Sequence, residues 1–378
     1  MSSKYPPISI PVARPEISGN EENYVVEAIR SSWISSIGGY IDRFEKEFAE
    51  QCEANSSLAV SNGTVALHLA LLALGVGRGD EVVVPSMTFV ATANAVRYVG
   101  GEPVFIDVDP ANWCLDPQLI EAAITPRTKA IIAVHAYGHP ADMDAIDKIA
   151  KKHGLALVED AAEAHFATCR GRTVGGLSDM ATFSFYGNKI FTSGEGGALT
   201  VRDPEREKLA RLLRDQGMDT QRRYYFPVTG HNFRLTNIGA AMLCAQLERK
   251  DEILSKRRTV YAAYDELLAG INGIAHQPVS DWATLAPWLY CITIDKEVFG
   301  FSRDDVMEGL RAHGIDSRPF FIPVHTLPPF VKESQARGEH LPVTDKLGAT
   351  GMNLPTYTGM TRDEVATVCR VISSLHKS

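Results

Sequence analysis

The stretch ATFSFYGNKIFTSGEGGALT sets a single lysine, Lys189, between an aromatic-rich β run and a turn containing Gly194, Gly196 and Gly197. Desolvating an ammonium is costly and lowers its pKa, so a lysine in such a place needs a reason. Schiff-base chemistry supplies one. A desolvated amine stays neutral and nucleophilic at moderate pH, and a nearby carboxylate can keep a cofactor's ring nitrogen protonated as an electron sink. Upstream, LALVEDAAEAHFA ends an apolar strand in Glu159 and Asp160, at the carboxyl end of a strand, where open α/β sheets bind ligands. Taken alone, Asp160 reads equally as the cap of an Ala-rich helix, and a lone loop lysine is usually solvated. Together they form a candidate pair.

A phosphate needs backbone N–H groups at a helix start. SSLAVSNGTVALHLALLALG offers a strand, the turn Ser61-Asn62-Gly63-Thr64, and then an apolar helical run. Capping by Ser61, Asn62 or Thr64 is the alternative, and the two roles can coexist. His135 and His139 in HAYGHPADMD have a metal-like spacing. Gly138 and Pro140 argue against the helix that such a site requires, so the stretch reads as a loop in which Asp142 caps the next helix. A nicotinamide-binding reading lacks its G-x-G-x-x-G after the first strand, since the Gly75–Asp80 run follows a helix.

In order along the chain stand the SNGT turn, PSMTFVATANA, EDAAEAH, SFYGNKIFTSGEGG and HNFRLTNIGAAM. Weak singly but specific in this order, they run through nearly the whole chain. The chain resembles the sugar aminotransferases of the DegT/DnrJ/EryC1/StrS family, which are fold-type I, aspartate-aminotransferase-like enzymes dependent on pyridoxal 5'-phosphate (PLP). The resemblance implies Lys189 as the Schiff-base lysine and general acid/base. It implies Gly63, Thr64 and Ser184 on the cofactor phosphate, Phe89 stacked on its ring, Asp160 on the pyridine nitrogen and Glu163 near the phenolic oxygen, where Gln, His and Glu all serve. By the same resemblance Asn232 reaches the phosphate of a partner subunit and Arg234 clamps the amino donor's carboxylate, which implies a homodimer with shared active sites. Phe89 as plain core and HNFRLTN as a polar turn are the alternatives from the residues alone. Some relatives carry histidine at the lysine position and are dehydratases, so the lysine present here favours amino transfer.

SSWISSIGGYIDRFEKEFAE, WLYCITI and GIDSRPFFIPVH are similar to the members that aminate GDP-4-keto-6-deoxymannose with glutamate as donor. This implies that Trp33, Ser35, Arg318 and His325 lie in segments lining a sugar-nucleotide pocket; a packed Trp and a solvated Arg are the alternatives. A UDP- or dTDP-linked keto-sugar, or PLP-dependent dehydration, stands as the other reading.

These residues need a sheet to position them. The apolar runs SLAV, DEVVVPS, EPVFIDV, KAIIAVHA, LALVEDA and ATFSFYG alternate with helical stretches such as TVALHLALLALG, DMDAIDKIAKKHG and PEREKLARLLRDQG, which argues for an α/β sheet covered on both faces. After residue 250 a long charged helix leads to WLYCITI, FSRDDVMEGLRAHG and a final helix from TRDEVATVCR. The expected organisation is a large, mostly parallel α/β domain over residues 1–250 and a smaller α+β domain over 251–378. Lys plus Arg number 38 against 46 Asp plus Glu, a net charge of -8, so no global field draws the chain to nucleic acid or an anionic membrane. A phosphate-bearing ligand therefore needs a local site. Six scattered cysteines without a C-x-x-C pair, and a proline-bearing N-terminus where a secretory signal needs an apolar run, fit a reducing cytoplasm.

Overall fold

A computed structural model describes residues 5–376. Nine strands precede residue 202: β1 (Ser56–Val60), β2 (Glu81–Pro85), β3 (Glu102–Ile106), β4 (Thr128–Val134), β5 (Ala156–Asp160), β6 (Thr168–Cys169), β7 (Arg172–Thr173), β8 (Met180–Ser184) and β9 (Gly197–Val201). Seven of them form one sheet in the order β1-β9-β8-β5-β4-β2-β3. The neighbours from β8 to β3 are parallel, and β9 runs antiparallel to both β1 and β8. The fold is α/β with a large, mostly parallel mixed sheet, as the alternation of strand and helix patterns implies. The six apolar runs all form strands. β9, which is not among them, is the addition.

Strands buried on both faces send alternate residues to opposite sides. Val83, Ile131, Leu157, Ala181 and Phe183 pack on one side with Phe44 and Phe48 of the Gly39–Gln51 helix and with Ile146 of the Met143–His153 helix. Val82, Val84, Ile132, Val158 and Leu199 pack on the other with Ala66, Leu67 and Leu71 of the Gly63–Ala73 helix. Asp142 caps Met143–His153 by accepting from the Ala145 N–H at 3.3 Å, as read from the sequence. All six cysteines are buried and unpaired.

A four-stranded sheet follows, β10 (Ile274–His276), β12 (Tyr290–Ile294), β14 (Gly351–Leu354) and β13 (Arg318–Pro319) in that order, while β11 (Ala283–Thr284) pairs with β6. Ile292, Ile294, Met352 and Leu354 from this sheet share a third apolar cluster with Val260 and Tyr264 of the Lys250–Leu268 helix, Val368 and Ile372 of the Arg362–Leu375 helix, and Ile10. No helix among the described residues is long and apolar enough to cross a membrane.

The outer strand β1, which carries the candidate phosphate turn, is pinned by a buried carboxylate. Glu45 accepts from the Ala59 N–H at 2.8 Å and pairs with Arg214 at 2.6 Å and Arg211 at 2.7 Å. Removing one partner of a buried pair strands the others' charge. Glu45→Ala is therefore expected to lower unfolding stability by about 3–5 kcal/mol, seen as a lower urea midpoint at unchanged slope. A loss below about 1 kcal/mol would show the cluster to be an ordinary surface network.

Candidate active site

Because β1, β2, β4, β5 and β8 run in one direction, their carboxyl ends open on the same edge of the sheet. β5 ends in Asp160, and β8 ends in Ser184 just before the loop that bears Lys189. Adjacent residues of β5 diverge, as the pleat requires. Glu159 turns into the interior on one face, accepting from Gly175 N and Leu177 N, both at 3.0 Å, and from Ser178 Oγ at 2.9 Å, with His135 Nε2 3.1 Å away. Asp160 turns the other way, where Thr92 Oγ1 donates to it at 2.7 Å. The two carboxylates read together in the sequence therefore serve different places.

Ala161–Ala167 is not the helix that its alanines suggest, so Asp160 is no helix cap. The segment forms two turns, Ala164 N to Ala161 O at 3.0 Å and Ala167 N to Ala164 O at 3.1 Å, and Phe166 enters the left-handed region at φ 60°. Glu163 fixes this path by accepting from the Tyr137 N–H at 2.8 Å.

Asp160, Glu163 and Lys189 interact electrostatically in a region poor in water. Burial pushes Asp160 up from its ordinary 3.8, against the Thr92 hydroxyl and the Lys189 charge that pull it down. Burial raises Glu163 to about 7, opposed by Lys189. Lys189 is half-buried, and desolvation of its amine lowers its pKa while the two carboxylates hold it up. Asp160 thus lacks a full counter-charge, which is what a protonated ring nitrogen would supply.

The phosphate reading rests on a close approach. Asn62 caps the Gly63–Ala73 helix, its Oδ1 accepting from Val65 N at 3.0 Å, while the Gly63 and Thr64 N–H groups find no acceptor among the described residues. Gly197 passes directly beside this turn, where a Cβ would lie 2.5 Å from the Asn62 carbonyl carbon, and a Cβ on Gly63 would lie 2.9 Å from Ser184 Cβ. The free N–H groups and the Ser184 side chain thus share one small space suited to an anion. The cap formed by Asn62 thus leaves the Gly63 and Thr64 N–H groups without an acceptor among the described residues.

The remaining candidates are distributed as follows. Phe89 is 56% exposed, its ring 5.8 Å from that of Phe321, which removes the core alternative. Arg234 sits beside Val60 at the end of β1, its guanidinium on Ser36 Oγ at 2.9 Å and near Asp215 at 3.4 Å. Asn232 is exposed, on a bridge to Asp215. The carbonyls of Trp33 and Ser35 accept from Asn237, and the Trp33 side chain is exposed, not packed. Arg318 lies exposed on β13, and its charge is felt at Lys189. His325 is buried, with Nδ1 2.8 Å from Ser86 Oγ and Nε2 3.5 Å from Asp345. His135 and His139 are buried and engaged with Glu159, Ala141, Pro140 and Ser280.

Three residues of the site escaped the sequence reading. Thr92 donates to Asp160, Tyr137 donates its N–H to Glu163, and Trp288 places its ring 4.0 Å from Lys189 Nζ. Thr92 alone left a signal, since Thr88 and Thr92 are four apart and their hydroxyls meet at 2.8 Å. The other two are brought in by tertiary packing.

The DegT/DnrJ/EryC1/StrS aminotransferase family model matches residues 15–373. A GDP-perosamine synthase from Caulobacter vibrioides is 47% identical over 367 residues, 97% of each chain. Another from Escherichia coli O157:H7 is 39% identical over 97% of this chain and 98% of its own. The crystal structure of S. venezuelae DesV in complex with a ketimine intermediate superposes with a TM-score of 0.89 at 35% identity over 95% of each chain. This chain belongs to the DegT/DnrJ/EryC1/StrS aminotransferase family.

In the cofactor-free chain, Glu163 keeps its proton up to about pH 7 when folded but only to about 4.5 when unfolded. Its contribution to stability is complete below pH 4.5 and fades as pH rises toward 7. Glu163→Gln, which cannot ionise, is expected to gain up to about 3 kcal/mol on the wild type across that window, read by urea unfolding at stepped pH. Parallel stability curves would show that Glu163 titrates normally.

Proposed function

We propose that this chain is a PLP-dependent aminotransferase that converts GDP-4-keto-6-deoxymannose to GDP-perosamine, with glutamate as the amino donor. The observation that carries the reading is Lys189, in the loop after β8, in electrostatic contact with two buried carboxyls, Asp160 at the end of β5 and Glu163 in the turn that follows. The strong similarity to GDP-perosamine synthases over almost the entire chain supports the choice of sugar.

When bound, PLP supplies an electrophilic carbon that bonds to amines and a protonated ring that takes up an electron pair. Lys189 Nζ holds the cofactor between turnovers, removes the proton from the donor's α-carbon, and returns a proton in the second half of the cycle. Asp160 would pair with the ring nitrogen, Glu163 would approach the phenolic oxygen, Phe89 would stack on the ring, and Gly63, Thr64 and Ser184 would hold the phosphate. Arg234 receives the donor carboxylate. Trp33, Ser35, Arg318 and His325 belong to the segments around the nucleotide sugar.

The proposed assembly is a homodimer in which Asn232 serves the phosphate of the other copy. The exposure of Asn232, which leaves its side chain within reach of a second copy, supports this assembly. The proposed division at residues 250 and 251 is supported by the separate apolar cluster around β12 and β14. A cytoplasmic location is supported by the unpaired cysteines.

Purified protein is expected to show a visible absorption band that glutamate bleaches and GDP-4-keto-6-deoxymannose restores. No band with added PLP overturns the reading; bleaching without restoration keeps the aminotransferase and discards the sugar, after which UDP- and dTDP-linked keto-sugars are the substrates to try. Lys189→Ala and Lys189→Arg are expected to keep the fold by circular dichroism and to lose turnover by at least about 100-fold, the scale of general acid/base catalysis. Near-normal turnover in either variant removes Lys189 from the mechanism.

A further inference from the structure

Lys189 contacts a residue that has no role in the proposed cycle. The Trp288 ring centre lies 4.0 Å from Lys189 Nζ, and the Trp288 Nε1–H donates to the carbonyl of Asn188 at 2.9 Å. One side chain therefore meets both the lysine's charge and the peptide from which it projects. A residue that only filled space would need neither contact.

The indole is itself held rigidly. It is 3% exposed. Arg257 Nε donates to Pro287 O at 2.7 Å, and its Nη2 donates both to Trp288 O and, at 3.2 Å, to Thr356 O. The Tyr137 ring lies nearly parallel to the indole, with centroids 6.2 Å apart, and the Tyr137 N–H is the donor to Glu163. Lys189, Trp288, Tyr137 and Glu163 are thus one contiguous set.

The chemistry of the neighbours explains why an indole stands there. In the proposed cycle Lys189 alternates between being bonded to the cofactor and being a free amine that carries a proton. While free, it needs stabilisation as an ammonium. Asp160 and Glu163 can supply negative charge, but both can also take the proton, and both face the cofactor. An aromatic face attracts the cation through its quadrupole and accepts no proton.

We propose that Trp288 is the positioning residue of Lys189: its indole face holds the lysine ammonium whenever the amine is not bonded to the cofactor, and its N–H fixes the backbone of the lysine loop. This rests on the aminotransferase reading, because only a lysine that is released and recaptured needs such a place.

The test reads the lysine directly, in the full-length chain freed of cofactor, so it is independent of whether turnover is found. Wild type, Trp288→Phe and Trp288→Leu are treated with acetic anhydride over a pH series, and acetylation of Lys189 is followed by peptide mass spectrometry with exposed Lys46 as the internal standard. Loss of a desolvated cation–π contact is expected to lower the labelling midpoint of Trp288→Leu by about one pH unit, with Trp288→Phe between it and the wild type. A wall that merely excluded water would act with the opposite sign, since opening it hydrates the amine and raises the midpoint. An unchanged or raised midpoint in Trp288→Leu overturns the proposal. If circular dichroism shows that Trp288→Leu does not fold, Trp288→Phe decides alone: a lowered midpoint supports the proposal, and an equal or higher one overturns it.

Discussion

The shortage of water at the carboxyl ends of β5 and β8 is the constraint on which the site depends. Asp160, Glu163 and Lys189 meet there, and each alone would resist carrying its charge. Their charges are tolerable only jointly, so the surroundings are built to hold them in fixed relation. Thr92 fixes Asp160 and the Tyr137 N–H fixes Glu163. Tyr137 does so from the left-handed region, at φ 50°, a conformation that costs a non-glycine residue about 1–3 kcal/mol and that ring packing on Phe320 and Phe321 offsets. The end of an ordinary sheet thus holds a buried carboxyl, Glu163, whose pKa burial raises to about 7.

Arg257 links this place to the second sheet. Its guanidinium is buried and finds no carboxylate among the contacts it makes, only carbonyls before β12 and after β14. Burial lowers it to about 10. It nonetheless remains charged throughout the range in which Glu163 titrates. The wall that bears Trp288 is therefore anchored by a group whose charge stays fixed while Glu163 titrates.

Much of this was legible in the residues. The six strands were readable because strands buried on both faces are short continuous apolar runs, and Lys189, Asp160 and the Asn62–Thr64 turn because each sits where a strand ends. β9 was missed because GALTV trails a glycine-rich turn, and the glycines, needed for close approach to Asn62, mask the strand. Ala161–Ala167 misled because alanines favour helix locally, whereas the path is set by Glu163 reaching a backbone N–H 26 residues away in sequence. Tyr137 and Trp288 could not be found from spacing at all, since tertiary packing alone brings them to Glu163 and Lys189.

The position of β9 also sets an order for assembly. β1 is joined to the sheet through β9, so Ser56 waits for Val201, a partner 145 residues later in the chain. Until Gly197–Val201 slots between β1 and β8, the Asn62–Gly63 turn has no second wall and β1 presents an unpaired edge. A loop of that length is closed late and slowly in a folding chain. During synthesis, the turn proposed to take the phosphate is made early but gains its second wall only after residue 201, when most of the sheet already exists to receive it.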